Sequence, residues 1–448
     1  MIARLPSRAK RGVSSMRTGE NVSAFQNALA RYPAPMRYPA VILISLWACL
    51  FGTVSAADLR VLTSLPPSVS EPYVDLFISR TENGAAQVLN KNTIAGIDEI
   101  LRGNERGFDV FWASSPEAFE ILSRSDAFAD GDVCGPDGPP PVAAFALSSV
   151  GWARRRDSDL FMPAEWNDLT RPLYRNRLAM ARPARSGSTH MLIEQLLQVR
   201  GWQDGWAFIL GMSANLSTLT ARSFGVPDGL VNDRFDIGLT IDFLSQANSA
   251  FLRFKYGRPL VVAPAQIGIL RNGRDSDAAC AFLSAALSRE GQLTLLSPGI
   301  SRVPYNPDIR AEVKDRLPTE IVDALKLTWF EYDAETSADR YWAVNTLFDL
   351  MITEQLDRRR TLWRMHHDLK PYAPAASLDR VHELLTTVVT TEDEATLATG
   401  ADAGLRNTSL IRMDPHMRSL AEDWRVRVIT QLEEAERMLL DLQKRYLP

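Results

Sequence analysis

The chain has 448 residues, with 50 basic and 54 acidic side chains, a formal net charge of −4, 46% hydrophobic and 23% charged residues. That is a globular composition, long enough for two or three domains, and it excludes a disordered, collagen-like or disulfide-scaffold protein. No basic excess points to nucleic acid, and the three cysteines at 49, 134 and 280 lack the Cys-x-x-Cys spacing of a cysteine-based zinc site.

Residues 1–35 carry Arg4, Arg8, Lys10, Arg11, Arg17 and Arg31 against one acid, Glu20. Met36 and Arg37 precede an apolar run over 40–54, closed by Ser55, Ala56 and Ala57. A positive segment, a short apolar run and a small-residue site make a secretory signal peptide, expected to be cleaved near Ala56 or Ala57. The run is about 15 residues, short of the roughly 20 that a spanning helix needs. An uncleaved N-terminal anchor is the competing reading, and Met36 is a second candidate start. Cys49 follows Leu46, Trp47 and Ala48, a poor fit to a lipoprotein box. Removing 1–57 takes away seven basic residues and one acid, leaving 43 basic against 53 acidic residues and a net charge of −10. Export with no later apolar span predicts a periplasmic protein, in an oxidising compartment where Cys134 and Cys280 could pair if the fold brings them together.

In the remaining chain, strands are expected at 59–63, 87–90 and 108–112, and helices at 71–80, 94–102 and 117–124, with Pro116 at the first turn of the last. Strands alternating with helices argue for parallel βαβ units. Residues 135–141, rich in Gly and Pro, form a loop. The apolar run 142–152 reads as a strand leaving this first unit. A second α/β unit follows, with strands at 178–181, 216–221 and 237–241 and helices at 189–200 and 203–212. A long extended run over 258–270 leads to a helix at 277–288 that rejoins the first unit. Two crossings between α/β lobes predict a hinged molecule with its ligand cleft between them. The expected division is lobe 1 over 58–148 and 262–315, and lobe 2 over 149–261. Beyond 315 glycine almost disappears and helical periodicity dominates, so 316–448 reads as an all-helical C-terminal extension with helices at 318–331, 337–369, 377–388 and 416–446. The last carries an apolar stripe of Leu420, Trp424, Val428, Leu432, Met438, Leu439 and Leu442, for packing within the extension or for docking a partner.

The strand at 178–181 runs into Arg182 and Arg185, and Ser186, Gly187, Ser188 and Thr189 open the next helix. A helix start exposes unpaired N–H groups and the positive end of the dipole. Gly187 allows close approach, the hydroxyls donate, and Arg185 offers a bidentate fork, which together suit a phosphate or carboxylate. The plainer reading is a capped helix with Ser186 or Ser188 as N-cap. Other strand ends supply Thr63 and Ser64, Ser114 and Ser115, Arg222 and Ser223, and Asp242, at the place where open α/β sheets gather ligands. Asp242 would suit a ligand hydroxyl. His190, just inside the helix, serves either a ligand hydrogen bond or packing. The other histidines, 366, 367, 382 and 416, all lie in the extension, so no metal site and no cofactor is expected. The absence of a Tyr-Tyr pair weighs against ferric iron. No Gly-x-Ser-x-Gly, His-Glu-x-x-His or Walker sequence indicates an enzyme.

The stretches 183–206 and 213–226, together with Ala113-Ser114-Ser115-Pro116, Ile241-Asp242 and the helical extension, resemble the bacterial extracellular solute-binding proteins of ABC type, and within them the phosphoglycerate transport regulatory protein group. The similarity spans about 59–448. It implies a periplasmic binding protein fold of the second type, with two α/β lobes and a hinged cleft. It also implies a small anionic, phosphorylated solute and an inner-membrane partner, either an ABC permease or a sensor. Ferric ion, or another anion or sugar phosphate, is the alternative cargo.

Overall fold

The structure, a computed structural model, describes residues 58–82, 84–325, 332–399 and 413–447. The expected signal peptide therefore lies outside the described residues. In chain order, β1 (Asp58–Thr63), α1 (Pro67–Arg80), β2 (Ala85–Asn90), α2 (Thr93–Leu101), β3 (Val110–Ala113) and α3 (Pro116–Arg124) form the opening α/β unit. Pro67 and Pro116 both sit in the first helical turn, where a missing N–H costs nothing.

Next come β4 (Val142–Ser148), β5 (Val150–Arg155), β6 (Leu178–Ala181), α4 (Gly187–Arg200), α5 (Trp202–Ser213), β7 (Leu216–Thr220), α6 (Gly225–Val231), β8 (Ile237–Ile241), α7 (Asp242–Gln246), β9 (Leu252–Tyr256) and β10 (Ala263–Ile269). They are followed by α8 (Ser276–Leu287), α9 (Arg289–Thr294), β11 (Val303–Pro304), α10 (Pro307–Glu312) and α11 (Thr319–Ala324). The remainder comprises α12 (Ala334–Asp339), α13 (Tyr341–Phe348), a π-helical turn Asp349–Thr353, α14 (Leu356–Leu369), α15 (Ala375–Thr386), α16 (Glu392–Thr399) and α17 (Pro415–Tyr446).

Two mixed sheets result. The first has the order β11-β4-β10-β3-β1-β2, with β1, β2 and β3 parallel and β10 antiparallel to both β3 and β4. The second has the order β7-β6-β8-β5-β9, with β6, β7 and β8 parallel and β5 antiparallel to β8 and β9. This is the two-lobed architecture expected, with a helical extension. The apolar run 142–152 is not one strand. It breaks at Ser149, so that β4 pairs in the first sheet and β5 in the second, and the chain returns over 257–262 between β9 and β10.

Trp112 anchors the first lobe, edge-on to Tyr73, Phe145 and Phe282 at centroid distances of 5.3, 5.4 and 5.5 Å. Trp152, Trp166 and Phe208 form the corresponding cluster in the second. A disulfide joins Cys134, in the loop after α3, to Cys280 in α8. No helix among the described residues is long and apolar enough to cross a membrane.

One expectation for the extension is corrected, and one of two alternatives is decided. The helix expected over 337–369 is broken, because the backbone turns at Arg340 and again through the π turn. There Asp349 accepts from Arg182 Nε (2.6 Å), just after β6, which tethers the turn to the second lobe. The stripe on α17 takes the packing reading and not the docking one: Trp424, Val428, Leu432, Leu439 and Leu442 are buried, and α17 packs on α14 and α15.

Candidate functional site: a cleft at the carboxyl ends of the parallel strands

Each sheet directs the ends of its three parallel strands into one cleft. The first lobe supplies Ser64, Leu65 and Pro66 after β1, Asn92 and Thr93 after β2, and Ser114 after β3. The second supplies Arg185, Ser186, Gly187 and Ser188 after β6, Arg222 and Ser223 after β7, and Phe243 after β8. The two walls lie close together here, leaving a partly open cleft with a free volume of about 20 Å³, about the room of one water. Helices α1, α2 and α4 all start at this wall. Asn92 caps α2 by accepting from Ala95 N–H (2.9 Å), and Ser186 caps α4 by accepting from Thr189 N–H (3.3 Å). Their dipoles bring positive potential to the cleft.

The lining holds two arginines and no carboxylate. Arg185 is exposed and makes no side-chain hydrogen bond or ion pair with the described residues. Arg222 is half-buried and reaches across the cleft: its Nη2 donates to Asn90 Oδ1 (2.7 Å), Lys91 O (3.1 Å) and Ser64 O (3.4 Å). Burial, and then the like charge of Arg185, hold its pKa below the ordinary arginine value. The lobes also meet where Gly187 N–H donates to Thr93 Oγ1 (3.2 Å). A Cβ on Gly187 would lie 2.7 Å from Ser115 Oγ and 2.8 Å from Thr93 Oγ1, so only glycine permits this approach.

Of the residues expected at the site, Ser64, Ser114, Arg185, Ser186, Ser188, Arg222 and Ser223 line the cleft. Five do not. Thr63 is buried, donating to Trp112 O (2.8 Å) and accepting from Leu65 N–H (3.1 Å). Ser115 turns inward to Glu117, and Thr189 Oγ1 donates to Ser186 Oγ (2.9 Å). His190 is fully buried between Asn345 Oδ1 (3.1 Å) and Ser337 Oγ (3.2 Å), beside the Tyr341 ring, and burial drives its pKa down to about 3. It is a neutral packing histidine. Asp242 is a hinge pin that accepts from Ser149 N–H (3.0 Å), Phe243 N–H (2.7 Å) and Tyr256 O–H (3.3 Å), and burial raises its pKa to about 6.

Asn92, Thr93 and Phe243 line the cleft without having been anticipated. The first two were within reach of the same reasoning that found Ser186, since a capped helix begins just after the strand 87–90. Phe243 carried no such signal. No group of three or more His, Cys, Asp or Glu among the described residues is arranged to hold a metal ion.

Two α/β lobes joined by a hinge, with a polar cleft between them, define an extracytoplasmic solute-binding protein. The chain belongs to the bacterial extracellular solute-binding protein family, which matches it over residues 72–300. It is 29% identical over 378 residues to the phosphoglycerate transport regulatory protein PgtC of Salmonella typhimurium, covering 78% of this chain and 91% of that one. Among solved structures it is similar to the periplasmic binding protein AfuA from Actinobacillus pleuropneumoniae, with exogenous fructose-6-phosphate bound, at a TM-score of 0.59, 18% identity and coverage of 67% and 99%. The apo ferric ion-binding protein A of Pasteurella haemolytica follows at 0.52, 14% identity and coverage of 66% and 97%. The solute-binding family implies a small-molecule ligand and a membrane transporter as partner.

Proposed function

We propose that this protein captures a small phosphorylated organic acid, of phosphoglycerate or phosphoenolpyruvate size, and presents it to an inner-membrane permease or sensor. The working unit on this reading is lobe 1 over 58–148 and 262–315, lobe 2 over 149–261, and a helical extension over 316–448. The observation that carries the proposal is a cleft with two arginines, five serines and no carboxylate in a chain whose residues 58–448 carry a net charge of −10. Without local cations, the overall field would repel an anion. Arg185, Ser186 and Ser188 would hold the anionic head at the start of α4. Arg222 would exchange its cross-cleft acceptors for ligand oxygens.

The same lining contains no tyrosine, histidine or carboxylate, the donors that a hard ferric ion needs. A sugar phosphate is the second reading, favoured by the serine hydroxyls and by the sugar phosphate bound to AfuA.

Calorimetry of the exported protein against 3-phosphoglycerate, phosphoenolpyruvate, fructose-6-phosphate and ferric citrate tests the assignment. One-to-one binding of the phosphorylated acids, with the sugar phosphate weaker, is expected. Tight binding of ferric ion or of a neutral sugar would overturn it. Export itself predicts a mature N-terminus near Ala57 or Asp58 in the periplasmic fraction. N-terminal sequencing that still finds residues 1–35 would remove that part of the reading.

A further inference from the structure

Behind the cleft floor lies a cation that no local sequence pattern marked. Arg302 follows α9 and is only 2% exposed. Its Nη2 donates to Ser114 Oγ (2.8 Å) and Ser148 Oγ (2.9 Å), whereas Nε and Nη1 are buried without a partner. The guanidinium lies over the Phe243 ring at 4.2 Å and near that of Phe145 at 5.4 Å. Ser114 and Phe243 are both cleft-lining residues, so the charge sits one layer beneath the floor, where first-lobe and second-lobe walls meet.

No described carboxylate forms an ion pair with Arg302. Asp242 acts on it electrostatically, but spends its oxygens on Ser149, Phe243 and Tyr256. A buried guanidinium with two donors unmet, balanced only at a distance by Asp242 and not by a hydrogen-bonded carboxylate, is a standing destabilisation. An arginine can only donate. Ser114 Oγ must therefore accept from it, which leaves the Ser114 hydrogen free to point elsewhere. Arg302 also borders a second cavity, but there Asp315 and Glu320 offset Arg302 and Arg316, so that wall lacks the carboxylate-free character of the cleft.

We propose that Arg302 is a positioning residue for anion capture: it orients the Ser114 hydroxyl as a donor into the cleft and places positive charge, only partly offset by Asp242, behind it. This rests on the phosphorylated-acid reading above. The charge of a bound anion adds to the partial compensation from Asp242, so part of the cost of burying Arg302 in the empty protein is recovered on binding. A phosphorylated acid, with two anionic groups, gains more from it than a sugar phosphate with one.

The test uses Arg302→Met, Arg302→Lys, Ser114→Ala and the Arg302→Met/Ser114→Ala double variant, titrated with 3-phosphoglycerate and fructose-6-phosphate, with chemical denaturation of each ligand-free protein. Arg302→Met is expected to weaken 3-phosphoglycerate binding by about tenfold or more, and fructose-6-phosphate binding less, while ligand-free stability holds or rises. Arg302→Lys keeps the charge and is expected to retain most of the affinity. It serves as the measurable variant if Arg302→Met does not fold. The double variant should bind no more weakly than Arg302→Met alone, since the hydroxyl acts through the arginine. Unchanged affinity in Arg302→Met, or fully additive losses in the double variant, would sink this inference alone. Equal weakening of both ligands together with lost stability would reduce Arg302 to a structural role. A wild-type protein that binds no phosphorylated acid would instead remove the reading on which it rests.

Discussion

Glu117 of the first-lobe helix α3 lies 3.0 Å from the hydroxyl of Tyr332 in the helical extension. That hydroxyl is 2.9 Å from Ser337 Oγ, which stands 3.2 Å from His190 Nε2 on the second-lobe helix α4. A buried hydrogen-bonded chain thus runs from one lobe to the other through the extension. Beside it, Arg340 pairs with Glu194 of α4 at 2.8 Å, both essentially buried, and Arg124 of α3 pairs with Asp339. Helices α3 and α4 begin next to Ser114 and at Ser186, in opposite walls of the cleft. The extension therefore straps together the two helices that must move when the lobes do.

This strap makes stability depend on pH. Burial pushes the Glu117 carboxyl up to about 7, against an ordinary value of 4.5. A raised carboxyl favours the folded state while protonated, so its contribution is complete below about pH 4.5 and is lost as pH rises through 7. The difference is on the order of 3 kcal/mol. His190 is pushed down to about 3, and His366 and His367 to about 4, so their contributions are complete above about pH 6.5 and are lost as pH falls through those values. Chemical denaturation should find maximum stability between these limits. Relative to wild type, Glu117→Gln should remove a loss of stability that runs from about pH 4.5 to 7; a variant whose stability parallels that of wild type over this range would show that Glu117 is not its source.

Arg185→Ala and Arg222→Ala are each expected to weaken binding of a phosphorylated acid by about ten- to a hundredfold, at roughly 1.5–3 kcal/mol per charge-assisted hydrogen bond. They should differ in a second measurement. Arg222 bridges the lobes through Ser64, Asn90 and Lys91, so its loss should also expand the ligand-free protein in small-angle scattering, whereas loss of Arg185 should not. Unchanged affinity in both variants would contradict the site.

Gly187→Ala tests the approach of the lobes. Its Cβ would meet Ser115 and Thr93 of the opposite lobe at 2.7–2.8 Å. Overpacking of this kind costs about 1–3 kcal/mol, so affinity should fall about tenfold or more. Lobes that scatter as compactly as wild type and bind as tightly would refute the contact.

The Cys134–Cys280 disulfide ties together two first-lobe segments 146 positions apart, closing a loop that contains the second lobe. Replacing both cysteines with serine should lower stability by about 2–5 kcal/mol. Ligand affinity measured below the unfolding transition should hold, because neither residue lines the cleft. A change in affinity without a change in stability would be the contrary result.

Local rules made much of this protein legible in its sequence. The strands Leu178–Ala181 and Ile237–Ile241 stand where alternation and apolar content put them, Pro116 opens α3, and Ser186 caps α4. Each depends on backbone preference and on neighbours a few positions away. The two-lobed class followed from the order of such elements, and the cleft position of 185–188 from the chemistry of a helix start after a parallel strand. Tertiary structure decided what depends on residues far apart in the chain. It broke the run 142–152 at Ser149, because its two halves pair with different sheets. It brought Cys134 to Cys280, and it turned His190 and Asp242 away from the cleft into buried hydrogen-bond networks. It also set Arg302 under Ser114, 188 positions away. Whether a polar side chain faces ligand or core is settled by which distant atoms surround it, and that surrounding exists only once both lobes and the extension have packed.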